Sequence, residues 1–185
     1  MPEQSDFETE RLALRPFSLD DVSAVQKLAG AREVAYNTLT IPHPYTKKDA
    51  KDWIAPQEEK FQEGIEATFA ITLKSSRDLI GAIGLVIKKE SQMAELGYWV
   101  GKPYWHNGYC SEAAREVMRY GFQELGLHRI FAQYFARNPA SGRVLEKIGM
   151  QYEGHLRDHI KKWGHYEDVL IYGILETEIV HTETP

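Results

Sequence analysis

The stretch from Ala94 to Leu125 constrains this chain most. Ala94-Glu95-Leu96-Gly97-Tyr98-Trp99-Val100 alternates and is rich in aromatic residues, the pattern of a strand. Ser111 to Leu125 brings Ala113, Ala114, Val117, Met118, Tyr120 and Phe122 onto one helical face. Between them lies Trp105-His106-Asn107-Gly108-Tyr109-Cys110, with Ser111 and Glu112 in the first helical turn. A strand that feeds a glycine-bearing loop and then a helix aims backbone N–H groups at one point. The unpaired N–H groups of the helix start, with a partial positive charge of about half a unit, make an anion site. Gly108 lets the backbone approach a ligand closely. Many such junctions bind nothing, so the rest of the chain has to decide.

The 185 residues fit one domain with a filled core. No run approaches the roughly 20 apolar residues of a membrane span, so no membrane partner is expected. Met1 to Asp6 is acidic and lacks the apolar centre of a secretory signal. The single cysteine, Cys110, leaves no internal disulfide framework and fits a reducing cytoplasm. A net charge of −5 speaks against a nucleic-acid-coating protein. It is compatible with a cationic substrate but carries little weight for one.

Taken in order, Arg11-Leu12-Ala13-Leu14-Arg15-Pro16 predicts a half-buried strand ended by its proline. Ser18 is an N-cap, with Asp20 and Asp21 in the first turn of a helix that runs to Ala29 and stops at Gly30. Tyr36 to Tyr45, with Pro42 and Pro44, reads as a loop, either a substrate wall or a surface loop packed on the core. Thr46 to Asp49 matches a capping box with Asp in place of Glu. The helix after it carries Trp53, Ile54 and Phe61, and Pro56 should kink or split it. Ala67 to Lys74, Leu79 to Lys89 and the strand at Ala94 predict an antiparallel meander. No G-x-G-x-x-G opens a helix, and no Walker sequence is present. Arg129 to Phe135 is a strand, and Asn138-Pro139 starts a helix that stops at Gly149. Met150 to Arg157 and Tyr166 to Leu175 form a closing strand pair, and the tail from Thr177 should fray. Without a repeat or a linker, one domain over 1–185 is expected, with its core at about 9–176.

This order of parts resembles the GNAT acetyltransferase superfamily, on the branch of ribosomal-protein N-acetyltransferases. The resemblance rests on Arg11-Leu12-x-Leu14-Arg15-Pro16, Glu95-x-Gly97-Tyr98-Trp99-Val100, Trp105-x-x-Gly108-Tyr109-Cys110-Ser111-Glu112-Ala113, Asn138-x-x-Ser141, Glu146-Lys147-Ile148-Gly149-Met150 and Asp168-x-x-x-Tyr172. It implies an α+β fold, with a mixed, mostly antiparallel sheet flanked by helices and splayed between Glu95–Val100 and Arg129–Phe135. It also implies acetyl-CoA as co-substrate, with no metal. The pantetheine arm would pair with the backbone of Tyr98, Trp99 and Val100. The pyrophosphate would sit on the N–H groups of His106, Asn107, Gly108, Tyr109, Cys110 and Ser111. The family's loop usually has Gln or Arg where this chain has Trp105, and Gly or Ala where it has Cys110. The resemblance places Asn138 on the pantetheine, and Lys147, on the CoA-side helix, is the preferred contact for the CoA phosphates. For Lys147, as for Lys161 and Lys162, a solvated position is the alternative. Monomer and homodimer both stay open.

The implied chemistry is attack of a neutral amine on a thioester, which needs a base, a polarised carbonyl and a proton for the leaving thiolate. Glu95 is the candidate base. A solvated carboxylate beside Lys88 or Lys89 is its alternative reading, and Asp168 is the second carboxylate. Ser141 is the candidate proton donor, because many relatives carry a tyrosine acid where this chain has Leu145. Cys110 at a helix start invites an acyl-carrying reading, but no His-Asp pattern accompanies it, and it reads as a small buried residue. The spacing of His155, His159 and His165 matches no metal set. The acceptor is expected to be a protein N-terminal α-amine. The rivals are a small-molecule amine and a CoA-binding module without turnover.

Overall fold

In the computed structural model, which describes residue 4 and residues 6–179, the strand patterns assemble into one eight-stranded sheet. Its strands are β1 (Phe7–Glu8), β2 (Leu12–Arg15), β3 (Glu66–Leu73), β4 (Leu79–Lys88), β5 (Met93–Val100), β6 (Arg129–Phe135), β7 (Gln151–Lys162) and β8 (His165–Leu175). Their spatial order is β1-β2-β3-β4-β5-β6-β8-β7. The β3–β4–β5 meander is antiparallel, as expected. Among the described residues only β5 and β6 pair in parallel. The helices are α1 (Val22–Ala29), α2 (Arg32–Asn37), α3 (Lys47–Ile54), α4 (Gln57–Gln62), α5 (Tyr109–Gln123) and α6 (Pro139–Lys147). The class is the mixed α+β one read from the sequence.

Strand alternation divides the core. Phe69, Ile83, Leu85 and Leu96 pack with Ala114 and Val117 of α5. Ala70, one residue out of phase with Phe69, turns to the other face and meets Val25 and Leu28 of α1 and Ile54 of α3. Full burial of a side chain such as Phe69 or Leu85 contributes roughly 1.5–3 kcal/mol.

The feature that positions a site is where pairing stops. β5 and β6 pair only from Met93↔Arg129 to Glu95↔Phe131. Beyond that point β5 stays with β4 as far as Val100, and β6 stays with β8 as far as Phe135. Two strands that each keep their outer partner leave a split between them, as the family resemblance implied.

Several boundaries moved for local reasons. The helix expected to kink or split at Pro56 does split there, into α3 and α4. The capping box forms, with Thr46 N–H donating to Asp49 Oδ2 at 2.7 Å and Asp49 N–H to Thr46 Oγ1 at 3.2 Å. The loop expected from Tyr36 begins instead after α2, a short helix anchored by buried Val34 and Ala35. The tail is held further than expected. The Glu178 carboxylate accepts from Leu175 N–H at 2.8 Å and from Gln151 Nε2 at 2.7 Å, fixing a 3₁₀ turn over Glu176–Glu178. The rest of the tail, and most of the acidic start of the chain, lie outside the described residues. Among the described residues no helix is long and apolar enough to cross a membrane.

Candidate active site

Two cavities meet at the split. One, of about 310 Å³, lies between the outer end of β5, the start of α5 and the face of α6, where Asn138, Arg143 and Lys147 line it. The other, of about 750 Å³, is floored by Glu66, Thr68, Glu95, Gly97 and Gln133 and walled by residues 38–42. Tyr98, Trp99 and Ser141 line both.

The loop leading into α5 is built by long-range ties. Arg11 Nη1 donates to Asn107 O at 2.9 Å, and Arg11 Nε to Glu112 Oε2 at 2.7 Å. Glu112 Oε1 also accepts from Arg11 N–H at 2.8 Å and from Thr9 Oγ1 at 2.6 Å. Burial alone would raise the Glu112 carboxyl, but these bonds outweigh it and hold its pKa below the usual carboxylate value. The Arg11 guanidinium lies 4.7 Å from the centre of the Tyr109 ring. Gly108 takes φ +78°, and His106 takes φ +64°, unusual for a residue with a side chain. The first intrahelical bond of α5 runs from Glu112 N–H to Gly108 O at 3.1 Å. The N–H groups of Tyr109, Cys110 and Ser111 therefore lack intrahelical acceptors, at a cavity those residues line. Asn107 is placed differently from expectation. It does not line the cavity, and its side-chain Nδ2 donates to Tyr104 O at 3.2 Å and Trp105 O at 3.0 Å.

The exposed edge of β5 is narrower than the resemblance implied. Gly101 N–H donates to Ile80 O at 2.8 Å. By strand alternation, Trp99 and Gly97 also direct their backbone groups at β4, while Tyr98 and Val100 direct theirs at the split. Trp99 thus lines the site but has no backbone edge to offer it. The Val100 carbonyl is occupied as well, because Trp105 Nε1 donates to it at 2.6 Å. The N–H and C=O of Tyr98 and the N–H of Val100 face the split.

The Tyr98 hydroxyl donates to Ser141 O at 3.1 Å and lies 2.9 Å from Ser141 Oγ, with either hydroxyl able to donate in that pair. Burial raises the Tyr98 pKa, so the phenol is neutral across the working range. Ser141 is thereby held beside a second proton-bearing hydroxyl, contributed by β5, a partner that sequence reasoning missed. Burial also pushes the Cys110 thiol up to about 12, so at neutral pH it is a thiol rather than a nucleophilic thiolate.

Glu95 Oε1 accepts from Gln133 Nε2 at 2.8 Å across the root of the split. No ion pair joins Glu95 to Lys88 or Lys89. Lys88 lies over the Phe131 ring, and Lys89 Nζ donates to Glu63 O at 2.5 Å. Asp168 lines neither cavity. It accepts from His155 Nε2 at 2.6 Å and from Asp158 N–H at 2.8 Å, clasping a bulge in the β7–β8 hairpin. Those bonds, the backbone one first, hold its pKa below the usual value. Among the described residues no cluster of His, Cys, Asp and Glu is placed to hold a metal.

Asn138 sits at the N-cap of α6, but its side chain makes no capping bond and lines the smaller cavity. Lys161 and Lys162 lie away from that cavity. Lys162 Nζ donates to Ile41 O at 2.8 Å, pinning the wall of the larger one. Arg143 is a cation that sequence reasoning missed. It sits one helical turn before Lys147 and lines the same cavity, and the i, i+4 spacing was the available signal.

The model of the acetyltransferase (GNAT) domain family matches residues 11–151. An uncharacterized N-acetyltransferase, p20, of Bacillus licheniformis is 35% identical over 173 residues, covering 92% of this chain and 96% of its own. The ribosomal protein uS5-alanine N-acetyltransferase of Escherichia coli is 27% identical over 112 residues, 60% of this chain and 58% of its own. The crystal structure of a GNAT-family acetyltransferase from Bacillus anthracis superposes with a TM-score of 0.84 at 30% identity, covering 94% of this chain and all of the other. With a family model over most of its length, a full-length relative above 30% identity and the family's split sheet, the chain belongs to the GNAT acetyltransferases, which draw their acetyl group from acetyl-CoA.

Proposed function

We propose that this chain transfers acetyl from acetyl-CoA to the α-amine of a protein N-terminus, such as that of a ribosomal protein, by direct attack with both reactants bound. The observation that carries the reading is the meeting of two cavities at Tyr98 and Ser141, with Glu95 on the floor of one and the start of α5 at the far side of the other.

The smaller cavity fits an acyl-CoA. The α5 N-terminus and its unpaired N–H groups suit a pyrophosphate, and Arg143 and Lys147 suit further phosphate charge. Tyr98 and Val100 offer backbone groups to an amide-bearing arm, and Asn138 faces them from α6. Bound there, acetyl-CoA supplies an acetyl group activated as a thioester. The larger cavity suits an amine. Among the described residues Asp49, Asp52, Glu66 and Glu95 line it and no Lys, Arg or His does, although Lys48 pairs with Asp52 and Lys60 with Glu66 from outside the lining.

Glu95 accepts the proton of the incoming ammonium, directly or through water, while Gln133 fixes its orientation. Ser141, with Tyr98 behind it, donates the proton that the departing thiolate needs. The α-amine is favoured on energetic grounds. Its unperturbed pKa is about 8, so a useful fraction is already neutral at pH 7. A lysine at about 10.4 needs roughly 4 kcal/mol of help, so a single carboxylate serves an α-amine more comfortably. The relative that acts on ribosomal protein uS5 supports the same choice.

The test is thiol release from acetyl-CoA across a panel of peptides and small amines, with the acetylated atom located by mass spectrometry. Acetyl on peptide α-amines, and not on lysine side chains of the same peptides, is the expected result. Turnover only on polyamines, amino acids or aminoglycosides would sink the α-amine reading. Binding without any turnover would leave a CoA-binding module.

A further inference from the structure

Gly97 lies mid-strand in β5, where a glycine weakens a sheet through lost side-chain packing and backbone entropy. Two structural demands commonly put glycine there: a left-handed φ, or a neighbour too close for a Cβ. Neither holds. The Gly97 φ lies outside the left-handed region, and an added Cβ would meet no atom within 4 Å. The glycine directly opposite it behaves otherwise. A Cβ on Gly84 would fall 2.6 Å from Thr68 Oγ1 and 2.9 Å from the Ala67 carbonyl, so β4 needs its glycine for packing.

Gly97 is also exposed, lying beyond Glu95 where β5 keeps only β4 as a partner. Its exposure is to the larger cavity. Gly97 is two residues from Glu95 and shares its face of the sheet. The residue after it, Tyr98, reaches Ser141. The empty space over its Cα therefore lies beside the candidate base and next to the junction of the two cavities, and no described residue fills it.

We propose that Gly97 is a specificity-determining residue, whose missing side chain leaves clearance for the carbon that bears the reacting amine. The inference rests on the larger cavity being the acceptor chamber. An α-amine sits on a carbon that also carries a carbonyl and, in most residues, a side chain. That group is wider than the CH₂–NH₂ end of a lysine or polyamine, and a flat floor beside Glu95 suits it. A Cβ raises that floor by about 1.5 Å, one carbon–carbon bond. Displacements of about 1 Å at a reacting centre are enough to cost on the order of 100-fold in rate.

The experiment is Gly97→Ala and Gly97→Val, with three readouts: melting temperature, acetyl-CoA affinity by calorimetry, and kcat/KM on Ser- and Val-initiated peptides and an unbranched diamine. Both variants should melt at or above the wild-type temperature, since β5 gains a side chain with better strand propensity. Both should bind acetyl-CoA within about threefold of wild type. Transfer should fall about 10-fold for Gly97→Ala and at least about 100-fold for Gly97→Val, more steeply for the Val-initiated peptide than for the diamine. Undiminished transfer in Gly97→Val would overturn the inference. So would a joint loss of melting temperature and acetyl-CoA affinity in both variants, which would mark a glycine needed for folding. A wild type that acetylates only unbranched amines would instead sink the α-amine reading. In that case a loss of transfer to those amines of at least about 10-fold in Gly97→Val would support the clearance role, and undiminished transfer would overturn it.

Discussion

Gly108→Val should weaken acetyl-CoA binding on the order of 100-fold while leaving most of the fold in place. The reason is backbone rather than bulk. A Cβ at Gly108 has room, with Arg11 Nη2 at 3.5 Å as its nearest contact. The residue nevertheless holds φ +78°, a region where a β-branched residue is a true outlier costing roughly 1–3 kcal/mol. Valine relieves that strain by rotating to negative φ. The rotation re-aims the first turn of α5 and takes the N–H groups of Tyr109, Cys110 and Ser111 off their common target. Losing two hydrogen bonds to a charged ligand costs about 3 kcal/mol, or about 100-fold in affinity. Calorimetry with acetyl-CoA checks the loss. A melting scan without ligand should show a drop of only a few degrees, because Val117 and Met118 still anchor α5 in the core. Affinity within about fivefold of wild type would remove the loop from the phosphate site.

Glu95→Gln should lower kcat about 100- to 1,000-fold, within the range of general-base losses, with acetyl-CoA affinity unchanged. The substitution is nearly isosteric, and glutamine keeps an amide oxygen to accept the Gln133 bond. The fold and the floor of the cavity therefore stay as they are while the base is lost. The residual rate should climb with pH towards the α-amine pKa of about 8, since a neutral amine needs no base to lose its first proton. Ser141→Ala should cost less, about 10-fold, because the neutral Tyr98 hydroxyl that stands 2.9 Å from Ser141 Oγ remains to supply or relay a proton. Unchanged kcat in both variants would refute the two assignments together.

What the sequence disclosed and what it hid differ by range. The alternation of β6 and the break at Pro56 are written in neighbouring residues, and both were read in place. The loop at Gly108 and the helix after it were likewise visible, because a glycine between a strand pattern and a helix pattern is a local signal. The brace on that loop was not. Arg11 reaches Asn107 and Glu112 from the other end of the chain, and no periodicity marks a contact 96 to 101 residues apart. Nor does any residue type reveal that Trp99 turns its backbone inward. That direction follows from the single bond between Gly101 and Ile80, which sets the phase of β5 against β4. The pairing of Tyr98 with Ser141 depends on the split itself, which brings α6 over the end of β5. α2 was missed because six residues with two buried apolar positions are too few to show a period.

The most direct test of the split as the acetyl-CoA site is amide hydrogen exchange with and without the co-substrate. The N–H groups of Gly97 and Trp99 are directed at β4 and should exchange slowly in both states. Those of Tyr98 and Val100 face the split and should exchange faster in the free protein, then slow at least about 10-fold when acetyl-CoA is added. Protection that appears at Tyr98 and Val100, together with Tyr109 to Ser111, is the expected result. Acetyl-CoA that binds while Tyr98 and Val100 exchange as before would place it elsewhere and contradict the account.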